Sequence, residues 1–570
     1  MKHPILHGTD GIRGKISASP KTDLEALEAI VQRREVNGRA FMVIGEAIGQ
    51  ILAEELDDYP KVVIGWDRRP GNAMLVSGLT DGLHSSSVRV IHAGTVATPG
   101  LHDAVLGTKS DAGLMVTASH NPHTDSGVKF FDANGRKSMP SLERRIADLA
   151  WQIAERGINP EPDPESCLPD RMIHAERGHR STLAKRLDGM ADFLRINVSN
   201  CNWKDIIGSD LLLLDSSGGA ATTWLAAGLE RRGIPVKEIS SLEKELNDQC
   251  GAGELSPTDS WTWAEMIDSK HLLLKSLAEN HSQNIPKGSL IGAALDGDGD
   301  RCLLIETTDD GARVIDGDEM ADNIARAWDF VGVAHATMAF SIETDLSLTS
   351  SDDRFRMQVN FLECAVGDRW LSNQLSKNWI DSKNWPSIIG AEDSGHIVMA
   401  SPHPEIENKW SLVGDGAATL ISQLLVRALQ HHNEKMAPTF KSGWKKRTSI
   451  IDSDRAKWTG DGKLADSVES MIIEYFGQKN CSLSRKSIEG ETSLFLLSGN
   501  VNSVPISVGI RNSGTQEKTS ISLRSMKDFE GLNELLKLIV EFLTKELVHS
   551  SSSDSWVAKK TVDKDPSHVN

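Results

Sequence analysis

Apolar positions in residues 1–150 alternate between helical and strand spacing. Phe41, Ile44, Ile48, Ile51 and Leu52 recur at helical spacing, which predicts an amphipathic helix. Short β-branched or apolar runs predict strands at 61–65, 88–92, 113–117 and 127–131. Strands that alternate with helices in this way are typical of an α/β layer arrangement.

The strand pattern restarts three times, and the last part of the chain changes character. Further apolar strands are predicted at 211–214, 291–295 and 387–390. A helix is predicted at 417–428, and the segment 159–180 is polar and turn-rich. Beyond Lys441, the predicted elements are short strands at 505–510 and 519–523 and a long amphipathic helix at 529–547.

This pattern predicts a multi-domain α/β protein, because 570 residues exceed what a single hydrophobic core serves. We expect three consecutive α/β domains with mixed sheets, at 1–180, 181–307 and 308–440. A smaller C-terminal α+β domain is expected at 441–548. The polar residues 549–570 predict a disordered tail.

Composition excludes several classes of protein. Lys and Arg total 62 against 80 for Asp and Glu, and the resulting charge of −18 disfavours binding to nucleic acid or to anionic membranes. No apolar stretch approaches the roughly 20 residues of a membrane span, and the N-terminus lacks a signal peptide's apolar core. The 6 cysteines form no Cys-x-x-Cys pair, which indicates a reducing compartment and no structural zinc. We predict a cytoplasmic protein.

The string Thr-Ala-Ser-His-Asn-Pro at 117–122 follows a predicted strand, so Ser119 lies where that strand ends in a loop. A serine beside His120 and Asn121 can be a nucleophile activated by a neighbouring base. Ser, Asn and Pro are also common turn residues, and the string lacks the Gly-x-Ser-x-Gly elbow of Ser-His-Asp hydrolases. The local pattern leaves a nucleophile and an ordinary turn both open.

The sharpest signal is Asp-Gly-Asp-Gly-Asp-Arg at 296–301, directly after an apolar strand. Glycines between the carboxylates of Asp296, Asp298 and Asp300 let a tight loop turn all three toward one hard cation. An EF-hand loop would need Gly and Glu where Arg301 and Thr307 stand. A solvated acidic turn is the alternative, but like charges this dense repel each other. The pattern therefore favours a Mg²⁺ site with coordination positions open to phosphate oxygens or water.

Three further loops carry groups suited to phosphates or sugars. They are His-Gly-Thr-Asp-Gly-Ile-Arg-Gly at 7–14, Glu-Asp-Ser-Gly-His at 392–396 and Arg-Asn-Ser-Gly-Thr at 511–515. The last offers a guanidinium, two hydroxyls and a Gly-permitted backbone approach, which together make a phosphate clamp. Each string also suits an ordinary turn, so none decides the function alone.

Taken in order along the chain, these strings resemble the α-D-phosphohexomutase superfamily, and most closely its bacterial phosphoglucosamine mutases. The likeness spans about residues 5–548. It includes Gly-Val-Lys-Phe-Phe at 127–131 and Gly-Asp-Gly at 414–416. The resemblance implies that the domains surround a central cleft.

The resemblance also implies a role for each matching residue. Ser119 would carry the phosphoryl group as phosphoserine, and Arg13 and Arg301 would stabilise charge near it. Lys129 and His120 would transfer protons to and from the sugar hydroxyls. The ligands of one Mg²⁺ per site would be Ser119, Asp296, Asp298 and Asp300. The residues that would contact the substrate sugar or its non-reacting phosphate are Glu392, Ser394, His396, Arg511, Ser513, Gly514 and Thr515.

The implied reaction moves phosphate between C6 and C1 of a hexosamine or hexose phosphate, by preference between glucosamine 6-phosphate and glucosamine 1-phosphate. Phosphoserine would donate to the free hydroxyl and give a sugar 1,6-bisphosphate, which would also serve as activator. The other phosphate would then return to Ser119. A small phosphosugar is the only partner implied.

The sequence departs from the family in two places. Ser126 stands where the family usually has Asn ahead of Gly127. The last loop continues with Gln516 and Glu517 instead of Glu-Pro, and Ser520 replaces an Arg. These changes weaken the phosphate clamp unless Lys518 or Arg524 compensates.

The sequence is also compatible with two other functions. A phosphomannomutase or phosphoglucomutase is the first, because Glu-x-Ser-Gly-His also occurs in those enzymes. A non-catalytic sugar-phosphate-binding protein is the second, suggested by the altered clamp. The intact strings around Ser119, Lys129 and the three Asp residues favour an active enzyme.

The altered loop yields a test. We expect Arg511→Ala to raise the Michaelis constant strongly, because a guanidinium binds phosphate through two charge-assisted hydrogen bonds. Glu517→Pro, which restores the family's residue and removes a like charge, should lower it. Steady-state kinetics measures both. An Arg511→Ala protein that binds substrate as well as the parent would show that this loop is not a phosphate clamp.

Overall fold

A computed structural model describes residues 3–8, 10–56, 58–157, 167–281, 285–349, 354–377, 385–433, 435–477, 481–513 and 518–548. The chain divides into two units. The first comprises Met1–Thr344 and Ser351–Phe440, and the second comprises Asp345–Ser350 and Lys441–Asn570. Three sheets belong to the first unit and one to the second.

The first sheet is mixed and has helices in the connections between its strands. Its strands are β1 Ile12–Ile16, β2 Glu35–Val36, β3 Lys61–Trp66, β4 Arg89–Thr95, β5 Ala112–Val116, β6 Asp125–Asp132 and β7 Arg171–Met172. Its helices are α1 Asp23–Arg33, α2 Gly38–Glu55, α3 Asn72–Ser85, α4 Thr98–Thr108, α5 Pro140–Arg156 and α6 Ala175–Phe193. The strand order is β2-β1-β6-β5-β3-β4-β7, and β6 runs antiparallel to both of its neighbours.

Both faces of this sheet are covered, as the alternation of side chains along β3 shows. Val62 and Ile64 belong to a core shared with residues of α1, α2, α3 and α5. Val63, which points the other way, packs with residues of α4 and α6. Since successive side chains of a strand point to opposite faces, a run of consecutive apolar residues marks a strand buried on both sides.

Helices α2 and α3 pack backbone against backbone through glycines. A Cβ added to Gly78 would overlap the carbonyl oxygen of Gly38, and one added to Gly82 would overlap that of Met42. A Cβ on Gly45 would lie 2.6 Å from the carbonyl oxygen of Leu79. The helices therefore approach more closely than side chains would permit.

The second sheet places the triple-Asp loop at a strand end. Its strands are β8 Leu212–Asp215, β9 Val236–Glu238, β10 Ser260–Thr262, β11 Leu290–Leu295, β12 Cys302–Thr307 and β13 Gly311–Ile315. The accompanying helices are α7 Trp203–Ile207, α8 Leu225–Glu230, α9 Trp263–Ile267 and α10 Leu272–Asn280. The strand order is β10-β13-β12-β11-β8-β9, with β11 parallel to β8 and antiparallel to β12.

The third sheet is also mixed, with the order β15-β14-β16-β17-β18. Its strands are β14 His335–Ser341, β15 Gln358–Cys364, β16 Ile388–Ala391, β17 Ile397–Pro402 and β18 Trp410–Gly414. The helices of this part of the chain are α11 Gly317–Val331, α12 Leu346–Thr349, α13 Asp368–Lys377 and α14 Gly416–His431. Of these, α12 belongs to the second unit.

The second unit contains an antiparallel sheet with helices on one face. Its strands are β19 Trp444–Ile451, β20 Cys481–Lys486, β21 Phe495–Val501, β22 Val504–Asn512 and β23 Lys518–Ser525. Its longer helices are α15 Gly462–Phe476 and α16 Leu532–Leu547. The core joins Val508 and Leu523 of the strands to Ile472 and Ile539 of the helices. Short 3₁₀ helices within the described ranges are Val198–Asn200, Ala220–Thr223, Ala252–Glu254 and Arg455–Lys457.

The predicted fold class is confirmed in its elements: three mixed α/β sheets precede an α+β unit. The expectation of turns throughout 159–180 was wrong, because α6 begins at Ala175. This helix buries polar residues such as His179 and Arg186, so its apolar periodicity is weak. The domain limits stay a prediction, and the predicted tail at 549–570 lies outside the described residues. None of the helices in the described ranges combines the length and apolarity needed to span a bilayer.

The glycine contact between α2 and α3 predicts a stability difference between two Gly→Ala variants. Gly82→Ala should lower the free energy of unfolding by about 1–3 kcal/mol, because the new methyl group has no space beside Met42. Gly178→Ala in α6, where a Cβ meets nothing within 4 Å, should raise it by about 0.5–1 kcal/mol. Urea unfolding measures both, and equal effects of the two variants would contradict the packing argument.

Candidate active site

The loop between β11 and β12 brings three carboxylates together. Asp296, Asp298 and Asp300 are buried, and one carboxylate oxygen from each lies within 4.8 Å of the others. Gly299 in the same loop has a φ of +73°, a left-handed conformation that glycine adopts without steric cost. The loop can therefore turn tightly enough to gather the three side chains.

These carboxylates fit a hard divalent cation. Burial, followed by the charges of Asp300 and Asp298, raises the pKa of Asp296 to about 6. The Oδ1 atom of Asp298 is buried and has no hydrogen-bond partner among the described residues. Three oxygen donors, their mutual repulsion and an unpaired buried oxygen match what Mg²⁺ binds in proteins.

Lys129, in β6, lies against the triad. Its Nζ donates to Asp298 Oδ2 at 2.6 Å and to Asp300 Oδ2 at 2.8 Å. Burial lowers the pKa of Lys129, but Asp10, Asp298 and Asp300 outweigh burial and raise it well above its usual range. The lysine therefore neutralises part of the buried negative charge.

A second buried lysine, Lys137, was not predicted from the sequence. Its Nζ lies 3.2 Å from Asp300, 3.3 Å from Asp10 and 2.8 Å from Asp368. Lys137 pairs with Phe131 across the turn that follows β6. The Asn-Gly pair at 134–135 indicates such a return of the chain, and this signal could have placed Lys137 beside the strand of Lys129.

Ser119 contacts the triad directly. It follows β5, and its Oγ donates to Asp296 Oδ2 at 2.8 Å although 177 positions separate the two residues. The side chain is buried, and φ is +54°, which is unusual for a residue other than Gly. The serine loop and the triple-Asp loop thus form one cluster.

Arg301 and His120 flank Ser119. The Arg301 Nε lies 3.1 Å from Asp296 Oδ2, and its Nη2 lies 3.4 Å from Ser119 Oγ. The Arg301 guanidinium also contacts His120 Nδ1. The charge of Arg301, followed by burial, lowers the pKa of His120 to about 2. The His120 ring is therefore neutral and faces the guanidinium with a lone pair.

Arg13, in β1, approaches the same loop from the other side. Its Nη1 donates to the carbonyl oxygen of Ala118 at 3.4 Å, and its Nη2 pairs with Asp10 at 3.0 Å. Arg13 lies opposite Gly127 in the antiparallel register of β1 and β6. This register brings Arg13 and Lys129 to the same end of the first sheet.

The loop between β16 and β17 is connected to the triad through His396. Its Nε2 lies 3.0 Å from Asp300 Oδ1, and its Nδ1 lies 3.1 Å from Glu392 Oε2. The other oxygen of Glu392 accepts from the Gly367 N–H at 2.7 Å. Burial lowers the pKa of His396, but Asp300 and Glu392 outweigh it and raise the pKa to about 9. The Oγ of Ser394 lies 3.5 Å from His396 Nδ1.

Ser126, one departure from the family pattern, forms a buried hydrogen bond. Its Oγ donates to Asn72 Oδ1 at 2.5 Å. Asn72 in turn donates to Asp67 Oδ1 at 2.8 Å. The substitution therefore keeps its side chain within a polar network beside β5 and β6.

The C-terminal loop is described in part. Arg511 lies in β22 directly opposite Ser520 of β23, so an Arg at 520 would lie beside Arg511. Arg524 is buried, and its Nη2 donates to Ser507 Oγ at 3.0 Å. Ser513 is also buried. Gly514, Thr515, Gln516 and Glu517 lie outside the described residues.

Comparisons with known proteins show similarity to sugar-phosphate mutases. A family model described as phosphoglucomutase/phosphomannomutase, alpha/beta/alpha domain I, matches residues 4–157. The phosphoglucosamine mutase of Hamiltonella defensa is 27% identical over 405 residues, which cover 70% of this chain and 74% of that protein. Other curated relatives carry the same name.

The chain is similar to phosphoglucosamine mutases along most of its length. Its fold matches the open form of parafusin, a phosphoglucomutase from Paramecium, with a TM-score of 0.61, 16% identity and 94% of each chain covered. It also matches an N-acetylglucosamine-phosphate mutase of the superfamily, with a TM-score of 0.52, 13% identity and coverage of 95% of this chain and 97% of that chain. These similarities indicate a mutase, an isomerase of carbohydrate metabolism, similar to phosphoglucosamine mutases.

The carboxylate cluster predicts that Mg²⁺ stabilises the protein. At 100 times its dissociation constant, a ligand of the folded state adds about 2.7 kcal/mol to the free energy of unfolding. We expect Mg²⁺ to raise the melting temperature of the parent relative to excess chelator, and chelator to abolish activity. Asp298→Asn, nearly isosteric, should lose most of the Mg²⁺-dependent rise.

Asp188→Asn is the matched control, since Asp188 forms an exposed ion pair with Arg232. It should keep the full Mg²⁺-dependent rise in melting temperature. A rise of equal size in Asp298→Asn would contradict a role for this carboxylate in holding the ion.

Proposed function

We propose that this chain is a phosphoglucosamine mutase that interconverts glucosamine 6-phosphate and glucosamine 1-phosphate. The observation that carries the proposal is the hydrogen bond between Ser119 Oγ and Asp296 Oδ2, at 2.8 Å. It joins the residue that would hold the phosphoryl group to the carboxylates that would hold a divalent cation. The similarity to phosphoglucosamine mutases supports the choice of hexosamine.

The charges around Ser119 suit a phosphoserine. Phosphorylation adds a charge of about −1.5 to −2 at neutral pH. Arg301 lies 3.4 Å from the hydroxyl, and Arg13 donates to the carbonyl of Ala118, the residue before Ser119. A divalent cation bound by the triad would supply further charge neutralisation for phosphoryl transfer.

The reaction would proceed in two phosphoryl transfers. The free hydroxyl of the sugar phosphate attacks the phosphorus of phosphoserine, and a new P–O bond forms as the bond to Ser119 Oγ breaks. The hydroxyl proton passes to a basic side chain, and Ser119 Oγ regains a proton. We assign this role to Lys129 and His120: Lys129 must first release a proton, and the Nδ1 of His120 must first separate from Arg301, before either can accept one. The second transfer reverses these steps with the other phosphate of the 1,6-bisphosphate. Ser119 is thereby phosphorylated again.

We assign the remaining predicted residues to substrate binding. Glu392, Ser394 and His396 would contact the sugar, and the 511–515 loop would contact a phosphate. In the structure, His396 bonds to both Glu392 and Asp300, so sugar binding would exchange some of these bonds. The net charge of −18 and the scattered cysteines support a cytoplasmic location.

A phosphomannomutase or phosphoglucomutase is the second candidate. It is favoured by the domain I family model, whose description names these two activities. Both candidates share the fold, the triad and the proposed phosphoserine. They differ in the sugar that the protein prefers.

A substrate panel tests the proposal. Parent protein with Mg²⁺ and a catalytic amount of sugar 1,6-bisphosphate should convert glucosamine 6-phosphate with a higher kcat/KM than mannose or glucose phosphates. Intact-mass spectrometry should show one added phosphoryl group on the parent. Ser119→Ala should lack both the phosphoryl group and the activity, because the acceptor oxygen is gone.

Ser87→Ala is a matched control, since Ser87 is an exposed serine with a φ of +59°. The Ser87→Ala variant places Ala in the same left-handed backbone region but outside the candidate active site, so it should retain activity. A fully active Ser119→Ala protein would remove the phosphoserine mechanism. A preference for mannose or glucose phosphates would select the second candidate.

A further inference from the structure

The main-chain carbonyl of Ser119 is held from two sides. Arg69 Nη2 donates to this oxygen at 2.6 Å, and Asn247 Nδ2 donates to it at 2.7 Å. The left-handed backbone of Ser119 costs about 1–3 kcal/mol and persists only where neighbouring groups enforce it. These two donors are therefore positioned to fix the orientation of the serine.

Arg69 lies in the loop between β3 and α3 of the first sheet. Its Nε pairs with Asp67 Oδ2 at 2.9 Å, and both side chains are fully buried. Its Nη1 also donates to the carbonyl oxygens of Asn121, Pro122 and Asp125. Arg69 thus binds main-chain carbonyls along the serine loop from Ser119 to Asp125.

Asn247 comes from a different part of the chain, the loop between β9 and the 3₁₀ helix Ala252–Glu254. The residue is buried, and its second Nδ2 hydrogen is used by the Asn121 carbonyl at 3.0 Å. An amide nitrogen has two hydrogens, so both are committed to the serine loop. Neighbouring residues of the same segment also contact this loop, because Glu245 pairs with His123 and Gly253 packs against His120.

Asn247 also contacts the triple-Asp loop. A Cβ added to Gly297, between Asp296 and Asp298, would lie 2.8 Å from the amide atoms of Asn247. The amide therefore fills the space between the two loops whose side chains meet at the Ser119–Asp296 hydrogen bond. Among the described residues, Asn247 is the only side chain outside the first sheet's segments and the triple-Asp loop that donates to Ser119.

We propose that Asn247 is a positioning residue for phosphoryl transfer, which sets Ser119 against the triple-Asp loop. This inference rests on the proposed function, in which Ser119 carries the phosphoryl group. Without the amide, the Ser119 peptide loses one of its two restraints, and Oγ moves relative to Asp296. A misplacement of about 1 Å at a reacting atom costs up to about 100-fold in rate.

The test compares two glycine substitutions in the same loop. Asn247 and Gln249 both have left-handed backbones, with φ values of +60° and +52°, so glycine suits either position. Gln249 is exposed, and its side chain takes no part in the site. Asn247→Gly should lower kcat about 10- to 100-fold with KM within about twofold of the parent. Gln249→Gly should match the parent in both constants.

Two further measurements separate positioning from a loss of structure. Melting temperatures should be similar for the two glycine variants. The single-turnover rate of phosphoryl transfer from phosphorylated Asn247→Gly to sugar phosphate should fall by the same factor as kcat. Asn247→Asp, which keeps the shape but turns acceptors toward the two carbonyls, should be impaired at least as much.

The outcomes are distinct. Suppose the parent is active and phosphorylated on Ser119, but the kcat of Asn247→Gly lies within twofold of that of Gln249→Gly. This result would overturn the role of Asn247 and leave the proposed function in place. The role of Asn247 would also be overturned if Asn247→Gly changed only KM. It would be overturned, too, if the loss of rate equalled the fraction of the variant that is unfolded. A parent without mutase activity or phosphoserine would remove the proposed function, and this inference with it.

Discussion

Dense negative charge inside the first unit is the constraint on which the site depends. Three carboxylates within 4.8 Å of one another are held in a buried loop, and Asp10 and Asp368 add to them. Such a cluster persists only if cations reach it, and the chain supplies them from separate elements: Lys129, Lys137, Arg13 and Arg301. The first sheet must therefore deliver β1, β6 and the following turn to the end of β11. The positions of these elements follow from electrostatics as much as from hydrophobic packing.

Sequence patterns predicted the parts of the site that are local. The alternation of Asp and Gly in one loop indicates a cation site without any knowledge of the fold, and consecutive apolar residues predicted strands such as β3 and β11. The triad's partners were harder to predict. Lys137, Asp10 and Asn247 stand in ordinary turn-like strings, and only their tertiary neighbours give them a role. The helix α6 was not predicted for the same reason, since its buried face carries His179 and Arg186, whose partner Asp415 lies far along the chain.

In the serine loop, hydrogen bonds hold Ser119 in an unfavourable backbone conformation. Ser119 has an unfavourable backbone, and its peptide oxygen, its amide and its hydroxyl each have a specified partner: Arg69 and Asn247, Thr117, and Asp296. These hydrogen bonds oppose a rotation that would turn the hydroxyl away from Asp296. Ser126, the departure from the family pattern, is linked to this arrangement through Asn72 and Asp67, because Asp67 also pairs with Arg69.

The depth of the charged cluster determines how it responds to ionic strength. In 1 M salt the electrostatic screening length falls to about 3 Å, which weakens exposed ion pairs such as Lys204–Asp210. Mobile ions act through the solvent, and Lys129, Asp298 and Asp300 are each 1% exposed or less. The cluster therefore keeps its internal attraction in concentrated electrolyte. The same burial means that these ion pairs depend little on ionic strength and mainly on the packing that excludes water from them, whereas a cation bound within the triad acts on them directly.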